Sequence, residues 1–383
     1  MTPAAAAARL PSPAALFDAQ PAVALRAGSL LEFRKHSLWS NALVLCAGAA
    51  VVWVAGSKLA VYADVTAERT GMSKAFMGLL LLALATSLPE LATTITSALP
   101  PVADPGLLIG NLLGGVAMQT AILAVADLLL RRGALSYFSP KPVLMIQGVM
   151  LVVLLTTTIL GIAVGSPAWL AVMGVGPWGL MLLLIFVAML WMTHSESQHP
   201  RWRPSNPPEE LDQTDVTRRE HERFRGVSNR RLYLAFAAGS LVIFVAGFLV
   251  TRVADAIARQ TGVGSTLVGA VLLAITTSLP EVSTTAKAVR LGAYGMAFGN
   301  IFGSNAFCAV LLFLGDLLYR GQPILDAATD QSLFLAALGI LVTCVYLWGL
   351  LERKDKTIFG MGIDSGIVLV LYIGGIAILY TVK

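Results

Sequence analysis

Two glutamates stand out in this 383-residue chain, Glu90 and Glu281, each directly after a proline in an otherwise apolar segment of membrane length. The stretch GLLLLALATSLPELATT, Gly78 to Thr94, returns 191 positions later as GAVLLAITTSLPEVSTT, Gly269 to Thr285, with eleven of seventeen residues identical. An ionised carboxylate inside hydrocarbon is costly, so an intramembrane acid is read first as a functional group. Two such acids related by an internal repeat point to a cation site at the seam between two halves.

The neighbours of each acid support that chemistry. Residues three and four apart share a helix face. Ala83, Thr86, Ser87, Glu90, Thr94 and Ser97 therefore form one stripe, and Ala274, Thr277, Ser278, Glu281 and Thr285 form its partner. Pro89 cannot donate to the Ala85 carbonyl, nor Pro280 to that of Thr276, so both turns should bend and turn main-chain oxygens inward. Carboxylates, hydroxyls and carbonyls are ligands for hard cations such as Ca²⁺ and Na⁺. Neither stripe carries thiolate or imidazole, which argues against Zn²⁺ or Cu⁺. A Ser/Thr stripe around a proline kink can also be plain helix glue, but the duplicated glutamates weigh against that reading.

A second repeated element follows each stripe. Gly106, Gly110 and Gly114 recur as Gly295, Gly299 and Gly303, spacing that suits close helix packing. Asn111 and Asn300 sit within these ladders and either line the site or bond across helices. Asp127 and Asp316 match at the same offset near the far ends of their segments, where an interfacial role is expected rather than ligation.

The surrounding elements must be membrane helices. Hydrophobic residues make up 56% of the chain and charged ones 13%, and the mean hydropathy is +0.76, which excludes a soluble domain. About 20 apolar residues cross a bilayer once. Ten such runs are read, at 39–62, 72–98, 106–130, 143–164, 168–193, 231–259, 265–290, 293–319, 331–351 and 361–381. The expected fold is an all-α polytopic membrane protein of about ten transmembrane helices. Its parts are an N-terminal tail (1–38), a first five-helix half (39–193) with its repeat at 72–130, a polar connector (194–230), and a second half (231–383) with its repeat at 265–319. The connector is too short to build its own core and reads as flexible or partly helical. With five helices per half, corresponding helices run in opposite directions, as inverted repeats do. Both glutamates then fall near mid-bilayer.

The Lys/Arg bias places the connector in the cytoplasm and both termini outside, in a cell (inner) membrane. Arg34 and Lys35 run against that bias. Cys46, Cys308 and Cys344 all lie in apolar segments, so no disulfide framework is expected. None of the four histidines is placed as an intramembrane proton relay.

These residues resemble the cation/calcium exchanger superfamily, in particular its prokaryotic sodium/calcium antiporters. ATSLPELATT with GNLLGG and TTSLPEVSTT with GNIFGSN carry the resemblance over about a hundred residues. It implies that Glu90 and Glu281 are the central Ca²⁺ ligands. It also implies that Thr86, Ser87, Thr277 and Ser278 add hydroxyls for Ca²⁺ and Na⁺, with carbonyls at Ala83 and Ala274. The family usually continues with G-S-N-x-x-N or G-S-N-x-x-D. Ser304 keeps the serine in the second copy, but Cys308 stands at the final position. In the first copy Gly115 replaces the serine, Val116 replaces the asparagine, and Gln119 holds the final position. Oxygen ligands are thus missing at Gly115 and Cys308.

The expected function is a secondary antiporter that exports Ca²⁺ in exchange for Na⁺ by alternating access. The helices at 39–62 and 231–259 would slide or rock over the site. A Ca²⁺/H⁺ exchanger on the same fold is the nearest rival, and a cation channel a distant one. No enzyme motif is present. No prosthetic group is expected; the partners are the small cations and the lipid bilayer, not nucleic acid.

Overall fold

The computed structural model describes residues 33–100, 103–130, 133–167, 175–202, 215–261, 275–319 and 322–379. Nearly all of them are helical. Helix α1 (Leu38–Thr70) opens on Ser37, whose side chain accepts from the Ser40 amide, and closes on left-handed Gly71. Next comes a bent pair, α2 (Lys74–Thr86) and α3 (Leu88–Ala98), meeting at 47°. Helices α4 (Pro105–Leu130), α5 (Pro142–Val164) and α6 (Pro177–Gln198) each begin on a proline, which is pre-shaped for a first helical turn. A short helix α7 (Asp215–Phe224) lies in the connector. The second half holds α8 (Asn229–Gln260), α9 (Leu279–Arg290), α10 (Tyr294–Leu318), α11 (Asp330–Glu352) and α12 (Ile363–Leu379). A two-stranded antiparallel hairpin, Thr357–Ile358 with Met361–Gly362, precedes α12.

Seven described helices are long and apolar enough to cross a membrane, and eight if the bent pair counts as one span. The expected span at 265–290 begins among residues that are not described, and α12 is a shorter apolar helix. Three expected boundaries shift, one of them the start of the fifth span, where α6 begins at Pro177 and Val175 and Gly176 stand outside the helix. The first span runs on to Thr70 rather than stopping at residue 62, because VYADVTAERT holds no glycine or proline and meets no breaker before Gly71. The fifth continues to Gln198, five residues into the polar connector, for the same reason.

The two halves are interlaced. The second-repeat helix α10 packs along the bent α2–α3 pair, while the first-repeat helix α4 packs on α9. The long helices cross over as well: α1 lies against α9, and α8 lies against α3, while α1 and α8 pair with each other. Glycines set the closest approach, since a Cβ at Gly303 would fall 2.8 Å from the Leu79 Cα. The second-copy glycines thus pack as expected. In the first copy, Gly110 meets nothing within 4 Å among the described residues.

The connector is partly helical, and α7 docks on the membrane helices. Thr217 donates to the Leu291 carbonyl at 2.5 Å, and Lys287 pairs with Glu220 at 3.2 Å. Arg69 donates to Asn229 and to the Phe224 carbonyl, each at 2.6 Å. His221 reaches two carboxylates of α1, Asp64 at 2.8 Å and Glu68 at 2.5 Å. Lys74 also pairs with Asp64 at 3.2 Å.

Candidate cation site

The two copies of TSLPE bend at the same residue. Ser87 has φ −86°, ψ 10° and Ser278 has φ −88°, ψ 6°, the sparsely populated bridge region between helix and strand. Each is followed by Leu-Pro-Glu at the start of a new helix, with proline in the first turn, where its missing N–H costs nothing. Glu90 and Glu281 therefore stand in the first turn of α3 and of α9. There the unpaired amides and the helix dipole favour negative charge. A π-helical turn at Gly78–Leu82 precedes the first bend; the matching positions 269–273 are not among the described residues.

Both glutamates are buried, Glu90 at 4% and Glu281 at 0% exposure, and they lie close enough to act on each other electrostatically. Every residue of the first stripe is buried: Ala83, Thr86, Ser87, Glu90, Thr94 and Ser97. So are Thr277, Ser278, Glu281 and Thr285 of the second, while Ala274 lies outside the described residues. Thr86 joins the halves. Its hydroxyl bonds to the Leu82 carbonyl at 3.0 Å, lies 3.3 Å from the Ser304 hydroxyl and 3.5 Å from Asn300 Oδ1, and faces the Glu281 carboxylate outside ordinary hydrogen-bond geometry. The Ala83 carbonyl is taken by the Ser87 amide at 3.0 Å.

The asparagines bond across helices in matching ways. Asn111 donates to Thr93 at 3.2 Å. Asn300 donates to Thr284 at 2.9 Å, the residue that corresponds to Thr93, and to Thr285 at 3.1 Å. Gln119 is fully buried, its Nε2 3.4 Å from Glu90 Oε1 and 4.0 Å from the Cys308 sulfur. A pairing that the sequence did not single out is Asn305, whose amide donates to Thr120 at 2.8 Å.

Several buried oxygens here have no hydrogen-bond partner: Ser87 Oγ, Glu90 Oε2, Gln119 Oε1 and both Glu281 oxygens. Buried polar atoms are nearly always satisfied, so an unpaired group of acceptors fits a cation as its missing partner. Among the described residues no three His, Cys, Asp or Glu side chains gather at metal-holding distance. Hydroxyls, amides and carbonyls would have to complete a cation's shell around the two acids.

Asp127 and Asp316 have a different part. Both are buried near the ends of their helices, and each clasps two backbone amides. Asp127 accepts from Leu135 at 2.8 Å and Gly362 at 2.7 Å; Asp316 accepts from Ile324 at 2.5 Å and Gly176 at 2.7 Å. Loop backbone folds over each carboxylate near the end of its helix and takes the place of water.

A bundle of apolar helices, two matched bends and a buried pair of acids define a multi-pass membrane transporter. A family model described as "Sodium/calcium exchanger protein" matches residues 40–193 and 231–381, and the chain belongs to that family of cation antiporters. It is 24% identical to a proposed antiporter, CaxA of Alkalimonas amylolytica, over 80% of this chain and 88% of that one. Likewise, 24% identity links it to the inner membrane protein YrbG of Escherichia coli (strain K12), over 84% of this chain and 91% of that one. Its fold matches that of the sodium-calcium exchanger NCX_Mj with a TM-score of 0.65 and 19% identity, covering 89% of this chain and 99% of the other.

Proposed function

We propose that the chain exports Ca²⁺ in exchange for Na⁺, binding both at one site centred on Glu90 and Glu281. The observation that carries this reading is the pair of buried carboxylates on twin bent turns, with oxygens left unpartnered. Thr86, Ser87, Thr277, Ser278, Ser304 and Gln119 supply further oxygens, together with main-chain carbonyls at Ala83 and Ala274. Asn111 and Asn300 hold the threonines in place. Two ionised carboxylates balance one Ca²⁺ or two Na⁺, so the ions compete for the same charge. The empty, doubly negative site is too costly to expose to hydrocarbon, and this couples the two fluxes.

In this reading the halves 39–193 and 231–383 are inverted repeats of five spans each, and α1 and α8 shift over the core to open the site to either side. The connector faces the cytoplasm and both termini face outward in the inner membrane. A second reading, Ca²⁺/H⁺ exchange on the same frame, draws support from Gly115 and Cys308, which stand where the resemblance expects oxygen ligands. Two protons satisfy two carboxylates without further donors.

The experiment is radioactive Ca²⁺ uptake into proteoliposomes under an imposed Na⁺ or pH gradient, with Glu90→Gln and Glu281→Gln beside the wild type. Uptake driven by Na⁺ and abolished in both variants is expected. Uptake driven by the pH gradient alone selects the proton reading. Flux that persists in either variant rejects the glutamate site.

A further inference from the structure

The internal repeat extends to glycines that no ion-binding role uses. Gly48 and Gly56 lie on α1, Gly239 and Gly247 on α8, and each pair is 191 positions apart (239 − 48 and 247 − 56), the separation of the two TSLPE copies. Leu59 and Val250 stand at that separation too. These residues interlock. A Cβ at Gly48 would fall 2.5 Å from Val250 Cγ2, and one at Gly239 would fall 2.9 Å from Leu59 Cδ2. Each helix thus seats one aliphatic side chain in a glycine notch of the other, so α1 and α8 form a reciprocal pair.

The other two glycines face the bent turns. A Cβ at Gly247 would lie 2.9 Å from Pro89 Cγ. One at Gly56 would lie 3.1 Å from Ser283 Cβ and 3.4 Å from the Pro280 carbonyl, and would overlap the Ser283 hydroxyl. That hydroxyl already donates to the Pro280 carbonyl at 2.9 Å. Pro89 and Pro280 immediately precede Glu90 and Glu281. Both glycines are buried. So α8 rests bare backbone on the turn that carries one acid, and α1 does the same on the turn that carries the other.

Helices with side-chain ridges interdigitate, and one passes another in discrete steps of a turn. A helix that presents glycine has no ridge at the crossing and meets no such barrier. We propose that Gly56 and Gly247 are positioning residues for transport, smooth crossings over which the interlocked α1–α8 pair moves across the two glutamate-bearing turns. This rests on the alternating-access reading above and adds to it the residues that set the rate of the movement. Close packing alone would also favour glycine, and the two roles separate experimentally. A packing role is lost as stability and ion binding together, whereas a positioning role is lost as rate.

The full chain, reconstituted in proteoliposomes, is assayed for Ca²⁺ exchange under whichever gradient drives the wild type. Ca²⁺ binding and thermal unfolding are measured on the same preparations in detergent. Gly56→Ala and Gly247→Ala are expected to lower the maximal rate at least about tenfold while half-saturating Ca²⁺ moves less than about twofold, the pattern of a slowed step after binding. Adding Ser283→Gly to Gly56→Ala removes the group the new methyl strikes and should restore most of the rate, a coupling that a double-mutant cycle reads directly. Unchanged rates in the single variants overturn the proposal, as does a parallel loss of binding and thermal stability. Should a single variant fail to fold, the Gly56→Ala, Ser283→Gly chain still decides: folded but slow, it overturns the proposal. A wild type without coupled exchange overturns the antiport reading and this proposal with it, whereas failure of the glycine variants alone leaves that reading standing.

Discussion

Gln119 holds its amide nitrogen 3.4 Å from Glu90 Oε1 and, on its other side, 4.0 Å from the sulfur of Cys308. A neutral donor and a thiol thus occupy the ground beside the acid, where a further carboxylate would bring a third negative charge. Cys308→Asp is expected to raise the number of monovalent cations returned per Ca²⁺ by one, because a third Na⁺ needs both the charge and the oxygens. Ion stoichiometry in vesicles, read from the potential at which net flux vanishes, checks this. Three Na⁺ per Ca²⁺ in the unmodified chain, with no change in the variant, would defeat the charge argument.

Asn300 acts as a donor to Thr284 and Thr285, and the Thr284 proton is already given to the Pro280 carbonyl at 2.9 Å. Asn300→Asp therefore sets a carboxylate against the Thr284 oxygen, whose proton is already engaged. The expected cost is about 1–3 kcal/mol for each buried group left unpaired. Thermal unfolding in detergent should show the loss, and Asn300→Ala should be milder than Asn300→Asp. The reverse order would mean that the threonine hydroxyls turn freely.

Asp127 and Asp316 each anchor two loop amides, so Asp127→Ala and Asp316→Ala should both destabilise the fold. Two buried N–H groups lose their acceptor in each case, again about 1–3 kcal/mol per group. The asparagine variants keep one acceptor oxygen and should lose less. Equal melting temperatures for the alanine and asparagine variants would show that water replaces the clasp.

His221 supplies a pH dependence outside the membrane. Its hydrogen bond to Asp64 is the main reason its pKa lies above the ordinary value; the charges of Asp64 and Glu68 add to this, while burial and Lys74 oppose it. A raised folded value means that protonation stabilises the docked α7. That contribution is complete below the ordinary histidine value of about 6.5 and is lost as pH rises through the raised one. Amide protection across 215–224, the intrinsic base-catalysed exchange rate relative to the observed one, should therefore fall as the solution is made alkaline, and His221→Gln should abolish that fall. Protection that falls instead on acidification would reverse the assignment.

The chemistry at the centre was legible in the sequence because charge in hydrocarbon is rare and the repeat supplied its own control. The stripes around Glu90 and Glu281 could be drawn from helical spacing, and the bends from Pro89 and Pro280. Contacts between distant segments could not be drawn in that way. Nothing in local pattern says that His221 of a polar connector seeks Asp64, at 1% exposure the most deeply buried acid of α1. The clasps of the two aspartates are equally invisible to local pattern, because only the folded loops show which amides meet each carboxylate. The glycine notches were in principle readable, since Gly48, Gly56, Leu59, Gly239, Gly247 and Val250 obey the repeat offset. Glycine is common enough in membrane helices, however, that a matched offset alone carries no packing partner.

The crossed packing of α10 on α2 and α3, and of α4 on α9, also governs biosynthesis. Emerging first from the ribosome, the amino-terminal part cannot complete its own interior, because second-half surfaces that pack on the Glu90 turn are translated later. That acid must wait in the bilayer, or at its border, until the carboxyl-terminal part arrives, and a nascent chain truncated within the connector is a natural target for membrane quality control.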